Sequence, residues 1–208
     1  MLKRFRQLFG AKEEAKPITI VSGLPRSGTS MMMKILEAGG FLPLTDSLRS
    51  ADTDNPQGYY EFERVKKLPK GDTAWVPEAQ GKTVKVIAIL LPHLPTTYNY
   101  RVIFMRRAMP EILASQRKML IHRGEDPDKI SDEELTRLYE KHIHQVNTWI
   151  SSQPHVQRID VDYNQLLKTP GSEIERLNQF LGGSLATEKM IEVVDPNLYR
   201  QRKQDGQD

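Results

Sequence analysis

A chain of 208 residues is long enough for one domain with a full core. With 38% hydrophobic and 27% charged residues, and no apolar run of about eighteen, it reads as globular rather than disordered or membrane-spanning. A net charge of +3 suits a small anionic ligand and is too weak to argue for nucleic acid, and zero cysteines exclude disulfides, cysteine-ligated metal and a thiol nucleophile.

Residues 1–16 form a basic lead-in. Leu2, Phe5, Leu8 and Phe9 recur at helical spacing among Lys3, Arg4 and Arg6. The segment lacks the long apolar region and cleavage site of a signal peptide, so a cytoplasmic location is the expectation. Its pattern fits a loosely docked terminal helix or a weak peripheral membrane contact through residues 1–9. A single domain is expected over residues 17–195, followed by a polar basic tail over 196–208. There is no internal repeat.

Pro17 opens a buried strand that runs into Gly23-Leu24-Pro25-Arg26-Ser27-Gly28-Thr29-Ser30. Gly23, Gly28 and Ser30 have the spacing of a Walker A phosphate loop, but Thr29 stands where a nucleotide triphosphatase carries its lysine. The cation is Arg26 instead. Amides at a helix start have no intrahelical partner, and the helix dipole favours an anion there. The glycines let backbone approach a phosphate closely, Ser27, Thr29 and Ser30 add hydroxyls, and Arg26 offers a planar fork.

A helix is expected from Thr29 to Ala38, stopping at Gly39-Gly40. Leu44 to Asn55 reads as a polar loop over the ligand face and Tyr59 to Lys67 as a short helix. Val84 to Leu91 is mostly apolar and branched, the pattern of a strand buried on both faces. Tyr100 to Arg106 is a further strand, followed by helices over Pro110–His122 and Asp132–Ser151. Val156 to Val161 is another strand, Gly171–Leu181 an amphipathic helix, and Leu185–Val193 a last short one. Strands alternating with helices predict an α/β fold, a doubly wound, mostly parallel sheet flanked by helices. Ligands then bind at the carboxyl ends of the strands.

Three stretches resemble the sulfotransferases that use 3′-phosphoadenosine 5′-phosphosulfate (PAPS). The loop from Gly23 to Ser30 is similar to that family's 5′-phosphosulfate loop. The passage Val102 to Ser115 resembles its 3′-phosphate motif, in which an arginine ends a strand and a serine follows eight residues later, as Arg107 and Ser115 do. Val161-Asp162-Tyr163 through Pro170 to Gly182 is similar to the strand, tyrosine and helix near the family's C-terminus. The resemblance implies that Pro25, Arg26, Ser27, Gly28, Thr29 and Ser30 hold the 5′-phosphosulfate. It implies that Arg107 and Ser115 hold the 3′-phosphate, and that Tyr163 lies near the adenine. PAPS would be the co-substrate, with no metal expected.

The implied reaction is attack of an acceptor hydroxyl or amine on sulfur, with the 5′-phosphate leaving. The best-known cytosolic branch carries Lys-Thr-His on the strand before the 3′-phosphate motif, with the histidine as base. Lys85-Val86-Ile87 keeps the lysine and lacks the histidine. Glu61, flanked by Tyr60 and Phe62, is the first candidate for the base, ahead of Glu63 and His93. Lys85 either faces the leaving-group oxygen or caps a strand end. His142 and His144 lie two apart on a predicted helix and face different ways, so no metal pair is expected. Tyr199-Arg200-Gln201-Arg202-Lys203 could fold over the 3′-phosphate or stay solvated. A small-molecule or carbohydrate-like acceptor is expected, with Tyr59 and Tyr60 as candidate lining; sugars, phenols, lipids and peptides are all compatible. Two alternatives stand beside this reading: a P-loop kinase or other NTPase, and a PAPS-binding module without catalysis.

Overall fold

The computed structural model describes residues 15–46 and 58–194. The expected terminal helix over residues 1–9, most of the Leu44–Asn55 loop and the basic tail therefore lie outside the described residues.

Among the described residues, four strands carry the fold: β1 (Ile18–Gly23), β2 (Thr83–Lys85), β3 (Tyr100–Arg106) and β4 (Val156–Asp162). All pair in parallel, in the order β2-β1-β3-β4. β1 lies between two neighbours and is buried at every position, which explains its near-continuous apolar sequence. Gly23 pairs beside Met105 and Arg106 beside Asp162, so β1, β3 and β4 end along one edge of the sheet.

Among the described residues, six α-helices connect and cover the strands: α1 (Thr29–Ala38), α2 (Met109–His122), α3 (Asp132–Ser151), α4 (Tyr163–Lys168), α5 (Pro170–Leu181) and α6 (Thr187–Glu192). Alternation along the strands divides the core. Ile18, Ile20, Tyr100, Val102 and Phe104 face a layer containing Val146 and Ile150 of α3 together with Trp75, Val76 and Leu91. Val21, Ile103, Met105, Ile159 and Val161 face α1, α4, α5 and α6. The sheet is thus covered on both faces, as the doubly wound expectation required.

This topology positions the site. From β1 the chain enters α1 on one face, and from β3 it passes through α2 into α3, which packs on the other. Where neighbouring strands send their connections to opposite faces, a crevice opens beyond their carboxyl ends. The Gly23–Ser30 loop and the residues after Arg106 meet there.

Three sequence expectations are corrected. Only Val84 and Lys85 of the apolar run Val84–Leu91 belong to a strand, Thr83–Lys85, and Ala88–His93 coils into a 3₁₀-helix containing Pro92. β2 is an edge strand, and its continuation buries Ala88, Leu90 and Leu91 while exposing Ile87 and Ile89. The helix expected over Tyr59–Lys67 is a 3₁₀-helix displaced to Glu63–Lys70, with Pro69 inside it. The last helix is shorter than Leu185–Val193, covering Thr187–Glu192.

Candidate functional site

The loop after β1 is forced into its shape by contacts on both sides. Gly23 has φ +149, and a Cβ there would lie 2.9 Å from the Met105 carbonyl oxygen. Gly28 has φ +97, and a Cβ there would lie 2.5 Å from the Tyr163 ring. Only glycine combines these dihedrals with such close neighbours. Arg26 also sits in the left-handed region, at φ +66. Buried Ser27 donates to the Leu24 carbonyl at 2.7 Å, closing the turn from inside.

The loop delivers the chain into α1 with donors and no competing acid. Gly28, at the N-cap, gives no side-chain cap, and the first turn contains no acidic residue. Thr29 and Ser30 are the first two helical residues. A helix start with hydroxyls and no carboxylate fits an anionic phosphate or sulfate group.

Residues distant in sequence converge on this loop. Arg26 Nε donates to Ser115 Oγ at 3.0 Å. Arg107 Nη1 donates to the Arg26 carbonyl at 3.0 Å. The Arg107 guanidinium lies 4.4 Å from the centre of the Tyr163 ring, a cation–π distance. Tyr163 therefore has Gly28 against its ring edge and Arg107 against its face. Its place is set by Asp162, which caps α4 by accepting from the Asn164 and Gln165 amides. Four of the residues expected around a bisphosphorylated nucleotide, Arg26, Arg107, Ser115 and Tyr163, thus form one connected group.

Lys85, at the end of β2, closes the other side. Its ammonium donates to Ser30 Oγ at 3.2 Å and to the Tyr59 carbonyl at 2.9 Å. The lysine therefore faces the first turn of α1 as well as ending its strand. Through Tyr59 it also anchors the segment that carries Glu61. Tyr60 pins the same segment to α1, donating its hydroxyl to Glu37 Oε2 at 2.6 Å. Burial, reinforced by this bond to a carboxylate, holds the Tyr60 phenol well above the usual tyrosine range. Tyr60 itself adopts φ +50, the second non-glycine residue at positive φ among those described.

Glu61 is 22% exposed and pairs with Lys66 at 3.2 Å. Glu63 is more exposed and also pairs with Lys66, at 2.6 Å. The bond to Glu63 is the main cause holding the Lys66 ammonium above its ordinary range, with Glu61 adding to it. His93 is exposed at the end of the 3₁₀-helix after β2, and among the described residues it makes no hydrogen bond to the loop. Pro25 is exposed at the loop tip. Tyr59, expected beside an acceptor, is buried at 5% exposure.

Two residues at this site escaped sequence reasoning. Glu111 in α2 accepts from Arg107 Nε at 2.9 Å, and from Asn164 Nδ2 at 3.0 Å. The four-residue separation of Arg107 and Glu111 was the available signal for the first of these. Nothing local announces the second, because Asn164 lies 53 residues away.

The chain matches the sulfotransferase domain family over residues 16–206, nearly its whole length. It belongs to that family. The sulfotransferase STF1 from Mycobacterium tuberculosis H37Rv superposes with a TM-score of 0.56 at 14% identity, over 92% of this chain and 74% of that one. The sulfotransferase domain from the curacin biosynthetic pathway superposes with a TM-score of 0.51, also at 14% identity, over 86% and 78% of the two chains. At such identities the likeness shows the sulfotransferase fold. No curated protein matches the chain in sequence. Among the described residues, no helix of this sulfotransferase is long and apolar enough to cross a membrane.

Proposed function

We propose that this sulfotransferase moves a sulfuryl group from PAPS to a hydroxyl or amine of a small-molecule or carbohydrate-like acceptor. One observation carries the reading. Arg26 from the phosphate loop and the pair Arg107 and Ser115, more than 80 residues away, are hydrogen-bonded together beside the α1 N-terminus. A donor with phosphates at both ends of its ribose requires two anion-binding points held at a fixed separation. The α1 N-terminus supplies one, and the Arg107–Ser115 end the other. Tyr163, 5% exposed with Gly28 against its ring edge and Arg107 over its face, is assigned to the neighbourhood of the adenine.

In this reading the acceptor oxygen attacks sulfur as the bond from sulfur to the 5′-phosphate oxygen breaks. The sulfuryl group ends on the acceptor and 3′,5′-ADP departs with the bonding electrons. Negative charge grows on the bridging oxygen, so preorganised donors aimed at it lower the barrier. Lys85 holds an ammonium 3.2 Å from Ser30 Oγ, beside the first turn where that oxygen would lie. Arg26, the loop amides and the hydroxyls of Thr29 and Ser30 share the remaining charge. These cations supply the electrostatic stabilisation that a metal provides in triphosphate chemistry, and the reading assigns no metal.

Glu61 is assigned to take the acceptor's proton. The support is its attachment: Lys85 and Glu37 hold its segment against β2 and α1, through Tyr59 and Tyr60. Glu63 and His93 are the alternatives, both more exposed. Incubation with radiolabelled PAPS and a panel of small hydroxyl compounds, with and without chelator, tests the proposal. Chelator-insensitive label transfer matched by 3′,5′-ADP release is expected. Magnesium-dependent ATP turnover without label transfer would replace this reading with the kinase alternative.

A further inference from the structure

We propose that Glu111 is a positioning residue for this reaction: its carboxylate sets the direction in which Arg107 meets the donor's 3′-phosphate, and Asn164 holds that carboxylate in place. The inference rests on the donor assignment made above and names a residue it did not need.

A carboxylate beside a site that binds anions works against the ligand unless its charge is committed elsewhere. Glu111 is committed. Its side chain is 5% exposed and that of Arg107 is 7% exposed. One carboxylate oxygen accepts from Arg107 Nε at 2.9 Å, and the other accepts from Asn164 Nδ2 at 3.0 Å. The amide could not be turned the other way, because its oxygen would then face a carboxylate oxygen. In the orientation it adopts, Asn164 Oδ1 is buried without a partner among the described residues. A buried unpartnered oxygen costs stability, and here it accompanies the fixing of Glu111.

The consequence falls on Arg107. Its Nε is taken by Glu111, its Nη1 by the Arg26 carbonyl, and Tyr163 covers one face of the guanidinium. Nη2 is the nitrogen left to present to a ligand, in a direction the other contacts impose. Arg107 therefore meets a phosphate with one oriented donor rather than an open fork. Replacing a whole buried ion pair can be close to neutral, but removing one partner leaves an uncompensated buried charge and destabilises the fold whatever its role, so stability does not separate a positioning role from a structural one. The carboxylate's effect is accordingly read in ligand discrimination.

Calorimetric titration of the full chain with 3′,5′-ADP and with 5′-AMP separates the two phosphate ends. The wild type is expected to prefer 3′,5′-ADP. Glu111→Gln should reduce that preference by about tenfold, the scale of one charge-assisted hydrogen bond, with 5′-AMP affinity changing much less. In an Arg107→Ala background, Glu111→Gln should change the preference no further, which a general structural role would not predict. Asn164→Ala, a milder change should Glu111→Gln fail to fold, should reduce the preference in the same direction by about threefold. Parallel loss of both affinities, or an unchanged preference in these variants, would overturn the positioning role while leaving the donor assignment intact. A wild type that binds both nucleotides equally would overturn the donor assignment and this inference with it.

Discussion

At the scale of single residues, side chains here act by where they are held as much as by what they are. Arg107 binds its surroundings with two nitrogens, so its loss should be felt by ligand and loop together. Arg107→Ala is expected to weaken 3′,5′-ADP binding by at least about tenfold, measured by titration calorimetry, with a smaller effect on 5′-AMP. Glu61→Gln keeps the shape of the side chain and removes the proton acceptor. It should leave 3′,5′-ADP affinity unchanged and lower turnover by about a hundredfold or more; unchanged turnover would move the base to Glu63 or His93. Gly28→Ala would place a methyl group 2.5 Å from the Tyr163 ring at φ +97. A loss of about 1–3 kcal/mol in chemical denaturation is expected, together with loss of nucleotide binding. Arg26 stood out from the spacing of its loop, and Arg107 and Ser115 from the family resemblance; the structure brings the three together. Glu111 and Asn164 did not stand out, because an acid in the first turn of a helix ordinarily faces water and its partner is fixed by tertiary packing.

The elements differ in how openly their sequences declare them. β1, α1 and β3 are bounded by glycine, proline or charge and largely buried, so apolar pattern and punctuation agree. The run Val84–Leu91 is equally apolar and only its start is strand. Apolar residues state that a segment is buried without stating whether a neighbouring strand or a covering layer buries it. The covering layer here is built from 3₁₀-helices, whose short turns leave no long helical period to detect. Trp75 anchors that layer, 1% exposed with the Phe62 ring edge-on at 5.5 Å. Trp75→Ala should cost about 3–5 kcal/mol in denaturation experiments, since a large cavity would open beneath the layer. A cost below about 1 kcal/mol would mean that the layer closes over the sheet without it.

For the molecule as a whole, function follows from topology. Parallel strands ending together, with connections leaving to opposite faces, bring a loop near residue 26 against a helix near residue 115. That convergence supports the proposal of a second anion-binding point beside a helix N-terminus that any phosphate would suit. The family assignment and the fold make the chain a sulfotransferase; the two-ended site is the claim that identifies its donor. Calorimetric titration with 3′,5′-ADP, beside ADP and magnesium-ATP, tests that claim most directly. Tight binding of 3′,5′-ADP, with ADP and magnesium-ATP weaker by about a hundredfold or more, is the predicted result. Equal affinity for ADP, or preference for magnesium-ATP, would contradict the account.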